Sequence, residues 1–400
     1  MSSHALEKFP RVRLAQLPTP FTQITAPELG LKLYLKRDDL TGNGLSGNKA
    51  RKLEFLIADA RAQNCATLVT CGAVQSNCAR ALAVAAAQTH LESYLILTGA
   101  VPAEDDGNLL ISRLAGAEIE FLTSTDPAER DALLARRTAD LAASGRRPYV
   151  VPFGGSSEVG ALGYVQAAFE MATQLGPDAA RFRHIVTPMA SGGTYAGLYL
   201  GFALAGLPIR PIGAFVCGSA TEWVPTLLDL IHGLARLLGV VVAADESDIR
   251  LIDARGAGYD QPTPAELDFI ARFVRATGVL LDPVYSGKAL YALWRYLECG
   301  ALDDPADVIF LHTGGSFGIF PHRRGLSAAL AGLEPHAADV GAAGCLPDAP
   351  VAAQAERPAT VALHAATAKA ASAVHRASRR ATPHRSPELR PAQTISIASP

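Results

Sequence analysis

The sequence has no pair of cysteines spaced Cys-x-x-Cys; its six cysteines, at 65, 71, 78, 217, 299 and 345, are far apart or unevenly spaced. That arrangement gives neither a zinc site nor a disulfide framework, and buried thiols in a reducing compartment are the expectation. The ten histidines are equally scattered, so no metal centre is expected. Charge of one sign is missing too. The 36 Lys and Arg against 38 Asp and Glu leave a net charge of -2, which gives no electrostatic reason to expect nucleic acid as a partner. No apolar run approaches the roughly 20 residues that cross a bilayer. The N-terminal MSSHALEKFPRVRLAQ has no apolar stretch between its charges, so no secretory signal is expected. These absences predict a soluble cytoplasmic protein.

What is present is core-forming material. Hydrophobic residues make up 49% of 400 positions and charged residues 18%, enough for a large core split into two domains. Short β-branched apolar runs alternate with alanine- and leucine-rich segments of helix length. Ala66–Thr70 precedes Ala79–Gln88, Ser93–Leu97 precedes Asn108–Leu114, and His184–Met189 precedes Tyr195–Leu204; Ile209–Val216 and Val308–His312 are further strands. Strands apolar throughout and separated by helices predict an α/β fold with a buried parallel sheet covered on both faces. The turn segments CGAVQSN, GGSSEVGALG, SGGT and TGGSFG fall at strand ends, where open α/β sheets bind ligands. From about Ala331 the chain turns poor in aromatics and rich in alanine, proline and arginine, and residues 331–400 read as a disordered tail.

Several segments could carry chemistry. In TGNGLSGNKARKLE, residues 41–54, three glycines precede Lys49 and a helix-compatible run follows. Asn48 and Ala50 flank the lysine where a Walker A loop needs Gly and Ser or Thr. Two of the three cations of KARK are explained as a solvated helical turn, whereas the glycines before Lys49 let the backbone approach a flat ligand. A lysine partly removed from water has a lowered pKa, and its neutral amine attacks aldehydes. ASGGTYAG, residues 190–197, joins a strand to an apolar helix and suits a phosphate-sized anion, or else is a bare tight turn. Ser76 and Asn77 either cap a helix beginning near Ala79 or present a hydroxyl and an amide to a ligand. Tyr285, Ser286 and Thr313 sit in DPVYSGK and HTGGS, which join apolar runs to glycines and hydroxyls.

In order and spacing, these segments resemble the tryptophan-synthase-β-like (fold type II) pyridoxal-phosphate enzymes, in the branch of 1-aminocyclopropane-1-carboxylate deaminase and D-cysteine desulfhydrase. The resemblance runs from about Phe9 to Phe320. It rests on LPTP at 17–20, KRDD at 36–39, SGNKARKLEFL at 46–56, QSN at 75–77, GALGY at 160–164, DPVYSGK at 282–288 and HTGG at 312–315. It implies two open twisted α/β domains with the active site between them. Residues 1–51 and 159–330 would form the large cofactor-binding domain and 52–158 the small one. It also implies pyridoxal 5'-phosphate carried by Lys49, a small amino-acid substrate and a homodimer. Ser191, Gly192, Gly193 and Thr194 match the phosphate loop, and Asn77 the residue that bonds the pyridine 3′-oxygen. Ser76 matches the serine near the substrate carboxylate, and Tyr285 and Tyr259 match two active-site tyrosines.

Two positions separate the branches of that family. The deaminase carries Glu after its DPVY tyrosine and Leu in place of the Thr of HTGG, while D-cysteine desulfhydrases carry hydroxyl residues at both. Ser286 and Thr313 stand here, which disfavours ring opening and implies α,β-elimination of D-cysteine. L-cysteate sulfo-lyases share both hydroxyls. The desulfhydrase pattern continues with His after QSN; this chain has Cys78. That departure alters the substrate pocket and leaves open a protein that binds the cofactor or an amino acid without turning it over.

Overall fold

The computed structural model describes residues 4–302, 308–333 and 361–362. The strands are β1 (Phe21–Ala26), β2 (Leu31–Arg37), β3 (Thr67–Ala73), β4 (Glu92–Thr98), β5 (Glu118–Leu122), β6 (Pro148–Val150), β7 (His184–Met189), β8 (Arg210–Phe215), β9 (Val241–Val242), β10 (Arg250–Asp253), β11 (Val308–His312) and β12 (Val361–Ala362). The helices are α1 (His4–Glu7), α2 (Lys49–Ala62), α3 (Asn77–Gln88), α4 (Gly107–Leu114), α5 (Pro127–Ala143), α6 (Glu158–Leu175), α7 (Gly193–Ala205), α8 (Ala220–Leu238), α9 (Pro264–Thr277), α10 (Ser286–Glu298) and α11 (Arg323–Gly332).

A six-stranded sheet runs in the order β1-β2-β11-β7-β8-β10 and a four-stranded one in the order β5-β4-β3-β6. Every neighbour pair in both is parallel except the edge hairpin β1–β2. Both sheets lie in one compact unit that ends at Ala362. The apolar strands β7 and β11 are buried at every residue, as expected of parallel strands covered on both faces. Along β11, Val308 and Phe310 pack on Phe269 and Phe273 of α9 and Leu290 of α10. The alternate residues Ile309 and Leu311 pack on Tyr164 and Met171 of α6 and Phe202 of α7. The smaller sheet buries Leu68, Leu95 and Leu97 against Leu53 and Ile57 of α2 and Leu82 of α3. Its other face meets Leu133 of α5.

Local chemistry sets the helix starts. The Thr263 side chain accepts from the Glu266 N–H while Glu266 bonds back to Thr263, and Pro264 opens α9. The Ser157 Oγ caps α6 by accepting from the Gly160 N–H. Cys299 is an exception to the expectation of thiols throughout: it is disulfide-bonded, while Cys65, Cys71, Cys78 and Cys217 are free. Ala331 and Gly332, read from composition as the start of the tail, instead close α11. Val361–Ala362 pairs with Val241–Val242; residues 334–360 and 363–400 lie outside the described residues. Among the described residues no helix is long and apolar enough to cross a membrane.

Candidate active site

Lys49 is the first residue of α2, and its position is set by contact between two backbones. Gly47, at φ 112°, lies so near the 313–314 turn that a Cβ on it would stand 2.5 Å from the Thr313 carbonyl oxygen. The Asn48 N–H donates to that same oxygen at 3.1 Å, and the Asn48 Nδ2 donates to Thr194 Oγ1 at 3.1 Å. Side chains are excluded at Gly47 by both the space and the positive φ. The 46–48 turn is therefore fastened to the end of β11 and the start of α7, which sends the lysine side chain into the space between them.

That space is a cavity lined by Lys49, Ser76, Asn77, Ser191, Gly192, Thr194, Tyr259, Tyr285 and Thr313 among others. Nine of the expected site residues thus meet in one place. Gly193 and Ser286 do not line it. Gly193 opens α7 with its N–H donating to Ser156 Oγ at 3.1 Å. Ser286 is buried behind the wall, its Oγ donating to Asp282 Oδ1 at 2.6 Å and accepting from the Asp282 N–H at 2.9 Å. Lys49 Nζ donates to the Gly154 carbonyl at 2.9 Å. Desolvation lowers its pKa, with Cys78 acting weakly the other way, so a larger share of the amine is neutral. Ser76 is both things at once: its Oγ accepts from the Ala79 N–H as the cap of α3, and the residue lines the cavity. The Asn77 Oδ1 is buried with no partner. Tyr259 and Tyr285 share a hydrogen bond of 2.6 Å, and burial pushes both phenols above their ordinary values.

Two residues outside the expected set complete an anion cradle. Lys52, one turn after Lys49, donates to Ser156 Oγ at 3.1 Å and to the Gly154 carbonyl at 3.3 Å. Ser156 Oγ in turn donates to Ser191 Oγ at 2.9 Å. A Cβ on Gly193 would stand 3.1 Å from Lys52 Nζ, so the ammonium sits over the N-terminus of α7, whose cap Gly192 offers no side chain. Burial, and then repulsion from Lys49, hold the Lys52 pKa well below its ordinary value. A second cation beside a helix N-terminus, next to a cavity with no carboxylate among its described lining residues, suits an anion such as a phosphate.

The expectation that two cations of KARK are solvated is therefore wrong. Arg51 and Lys52 are both buried. Arg51 donates to Asp38 Oδ2 and Oδ1 at 2.8 Å each and to Glu170 at 2.8 and 3.0 Å. Lys36 Nζ donates to Glu170 Oε1 at 2.5 Å, the Tyr164 hydroxyl to Asp38 Oδ2 at 2.6 Å, and Thr19 Oγ1 to Asp38 Oδ1 at 2.7 Å. LPTP, KRDD, KARK and GALGY thus converge on one buried network beneath the first turn of α2, away from the cavity. Periodicity cannot reveal this, because the partners come from Glu170 and Ser156, far along the chain.

The chain matches the model of the pyridoxal-phosphate dependent enzymes over residues 12–314, and it belongs to that family. The fold is the tryptophan-synthase-β-like fold type II, and the cofactor is pyridoxal phosphate. The chain is 40% identical over 324 residues to the bifunctional D-cysteine desulfhydrase/1-aminocyclopropane-1-carboxylate deaminase of Arabidopsis thaliana, covering 77% of this chain and 78% of that one. It is 38% identical over 331 residues to the D-cysteine desulfhydrase of Salmonella choleraesuis, covering 80% and 99%. A solved structure of an ACC deaminase homologue is 37% identical with a TM-score of 0.75, covering 82% of this chain and all of that one. The residues present fit the cofactor. They supply a partly desolvated amine, an unpartnered amide oxygen and a cationic, glycine-walled cradle in which a Cβ on Gly154 would stand 2.3 Å from Ser191 Oγ.

Proposed function

We propose that this enzyme is a D-cysteine desulfhydrase, converting D-cysteine and water to pyruvate, ammonia and hydrogen sulfide by α,β-elimination. One observation carries the reading: among the described residues Lys49 is the one charged side chain lining a cavity that also receives Asn77, the tyrosine pair and the start of α7, while Lys52 lies behind that lining on Ser156 and the Gly154 carbonyl. A substrate with a neutral side chain needs no second charge there. The sulfonate of L-cysteate would be desolvated without a counter-cation, which costs several kcal/mol (about 2 or more for a charged group). The position that carries Glu in the ring-opening deaminase is Ser286 here.

Bound pyridoxal phosphate supplies an electron sink conjugated to the substrate α-carbon. The chain supplies holding and proton transfer. Lys52, Ser191 and the backbone N–H groups of Gly192 and Thr194 would hold the phosphate, and Asn77 the ring 3′-oxygen, with Gly193 giving the start of α7 its open space. Thr313 would serve the ring nitrogen, with Ser286 buried behind the wall on Asp282. Lys49 Nζ would carry the cofactor and, once displaced by the substrate amine, take the α-proton. Ser76 would orient the substrate carboxylate. The Tyr259–Tyr285 pair, protonated across the neutral range, stands to hand a proton to the departing sulfur. Cys78 also lines the cavity.

The reading includes a cytoplasmic homodimer with a large domain of residues 1–51 and 159–330 and a small one of 52–158. All four strands of the smaller sheet fall between Thr67 and Val150, which supports the division. Sedimentation of the holoenzyme tests the dimer. The activity is tested by incubating holoenzyme with D-cysteine, L-cysteine, L-cysteate and 1-aminocyclopropane-1-carboxylate while assaying sulfide, sulfite, pyruvate and 2-oxobutyrate. Sulfide with pyruvate from D-cysteine is expected. Sulfite from L-cysteate, or 2-oxobutyrate as the main product, would overturn the substrate assignment.

A further inference from the structure

Arg80 lies on α3 one turn after Asn77, and its side chain is fully buried. Burial pushes its pKa down to about 10, with Cys78 acting in the other direction. Among the described residues no carboxylate bonds it. Instead Nη1 donates to the Gly44 carbonyl at 2.6 Å, Nη2 to the Ser46 carbonyl at 2.9 Å and Nε to Asn108 Oδ1 at 3.1 Å. Its guanidinium also lies 5.2 Å from the centroid of the Phe317 ring. A buried cation satisfied by neutral oxygens alone is expensive, and an apolar side chain of similar volume stabilises a fold as well or better. Its value must lie in what it joins.

We propose that Arg80 is a positioning residue that locks the first turn of α3 to the glycine loop ahead of Lys49. The inference rests on the roles proposed above for Lys49, Ser76 and Asn77. Residues three and four apart share a helix face, so Arg80 grips the loop from the side of α3 that carries Ser76 and Asn77. The two gripped carbonyls, at 44 and 46, immediately precede the Gly47–Asn48 backbone that fixes Lys49. The Asn108 acceptor is itself tied to the start of α3, since its Nδ2 donates to the Gln75 carbonyl at 3.0 Å and its N–H to Gln75 Oε1 at 2.9 Å. Phe317 belongs to the turn that follows Thr313–Gly314. One planar fork of donors thereby sets the spacing between the group that holds the ring oxygen and the amine that carries the cofactor. A lysine could reach one of the two carbonyls, not both.

The test compares holoenzymes of Arg80→Met, Arg80→Lys and Lys49→Ala with the parent, well below their thermal midpoints. Arg80→Met should keep a thermal midpoint near the parent's, lower kcat by about tenfold or more with little change in KM, and weaken cofactor retention read from visible absorbance. Arg80→Lys should recover part of both. If Arg80→Met does not fold, Asn108→Ala decides, with a several-fold loss of kcat and of cofactor retention expected. Parent-like kcat and cofactor retention in Arg80→Met, or in Asn108→Ala in its place, would overturn the inference. Lys49→Ala separates the two readings: if it keeps parent-like turnover, the roles proposed for the site fail, whatever Arg80 does.

Discussion

Lys52 brings a positive charge to a cradle walled by glycine and serine, and its value depends on what fills that cradle. A hydrogen bond to a charged group contributes about 1.5–3 kcal/mol, and about 1.4 kcal/mol is tenfold in affinity. Lys52→Gln should therefore raise the cofactor dissociation constant by about 10- to 100-fold, measured by titrating cofactor-free protein and following the protein-bound absorbance. Parent-like affinity would remove Lys52 from the phosphate site. Lys49 could be picked out in the sequence because glycines precede it. Nothing local distinguishes Lys52 from a surface cation, since what buries it is Ser156 and the start of α7. Asn77 and Ser76 were legible as a pair but not in role, as a cap and a ligand group use the same residue types.

At the scale of elements, the apolar strands β3, β4, β7, β8 and β11 were readable to within a few residues, because burial on both faces leaves a continuous hydrophobic run. The edge hairpin β1–β2, the charged strand β5 and the short β6 and β10 carry no such run and were not anticipated. The network beneath α2 was invisible for the same reason as Lys52: its members are charged, and only their partners bury them. Burial alone would raise the Asp38 and Glu170 carboxyls, but Arg51 overcomes it and holds both below their ordinary values. Their contribution is full above the unfolded carboxylate values near ~4 and is lost as pH falls through the lower folded ones. Asp282, raised by burial, works the other way. The denaturant midpoint should thus drop from about pH 5 downward, and less so in Asp38→Asn. Asp38→Ala, which leaves the buried Arg51 to share Glu170 with Lys36, should cost about 3 kcal/mol at neutral pH.

At the scale of the whole molecule, the cavity wall draws on both sheets. Ser76 and Asn77 follow β3 of the smaller one, while Ser191–Thr194 and Thr313 follow β7 and β11 of the larger. A ligand that binds the folded chain alone stabilises it by mass action, by about 4 kcal/mol at a thousand times its dissociation constant. Cofactor-free protein should therefore melt well below holoenzyme, with hydrogen exchange accelerated at the starts of both α3 and α7. Protection lost at α7 alone would mean that the smaller sheet takes no part in binding. The parallel topology and the position of the site at strand ends were legible in the alternation of runs. The division of the strands into two groups came only from the family resemblance, which put residues 52–158 in a small domain, because adjacency in sequence does not reveal which strands pair.

The tyrosine pair has a kinetic consequence. At 2.6 Å one hydroxyl spends its hydrogen on the other, so the two side chains offer a single free hydrogen to the cavity. If the departing sulfur takes it, the phenolate left behind already accepts its neighbour's hydrogen bond, and transfer of that bridging hydrogen in the same event would put two hydrogens in motion. Rates of sulfide release in mixed light and heavy water should then bend with deuterium fraction, as two moving hydrogens require. In Tyr259→Phe, where one hydroxyl acts alone, the same plot should straighten.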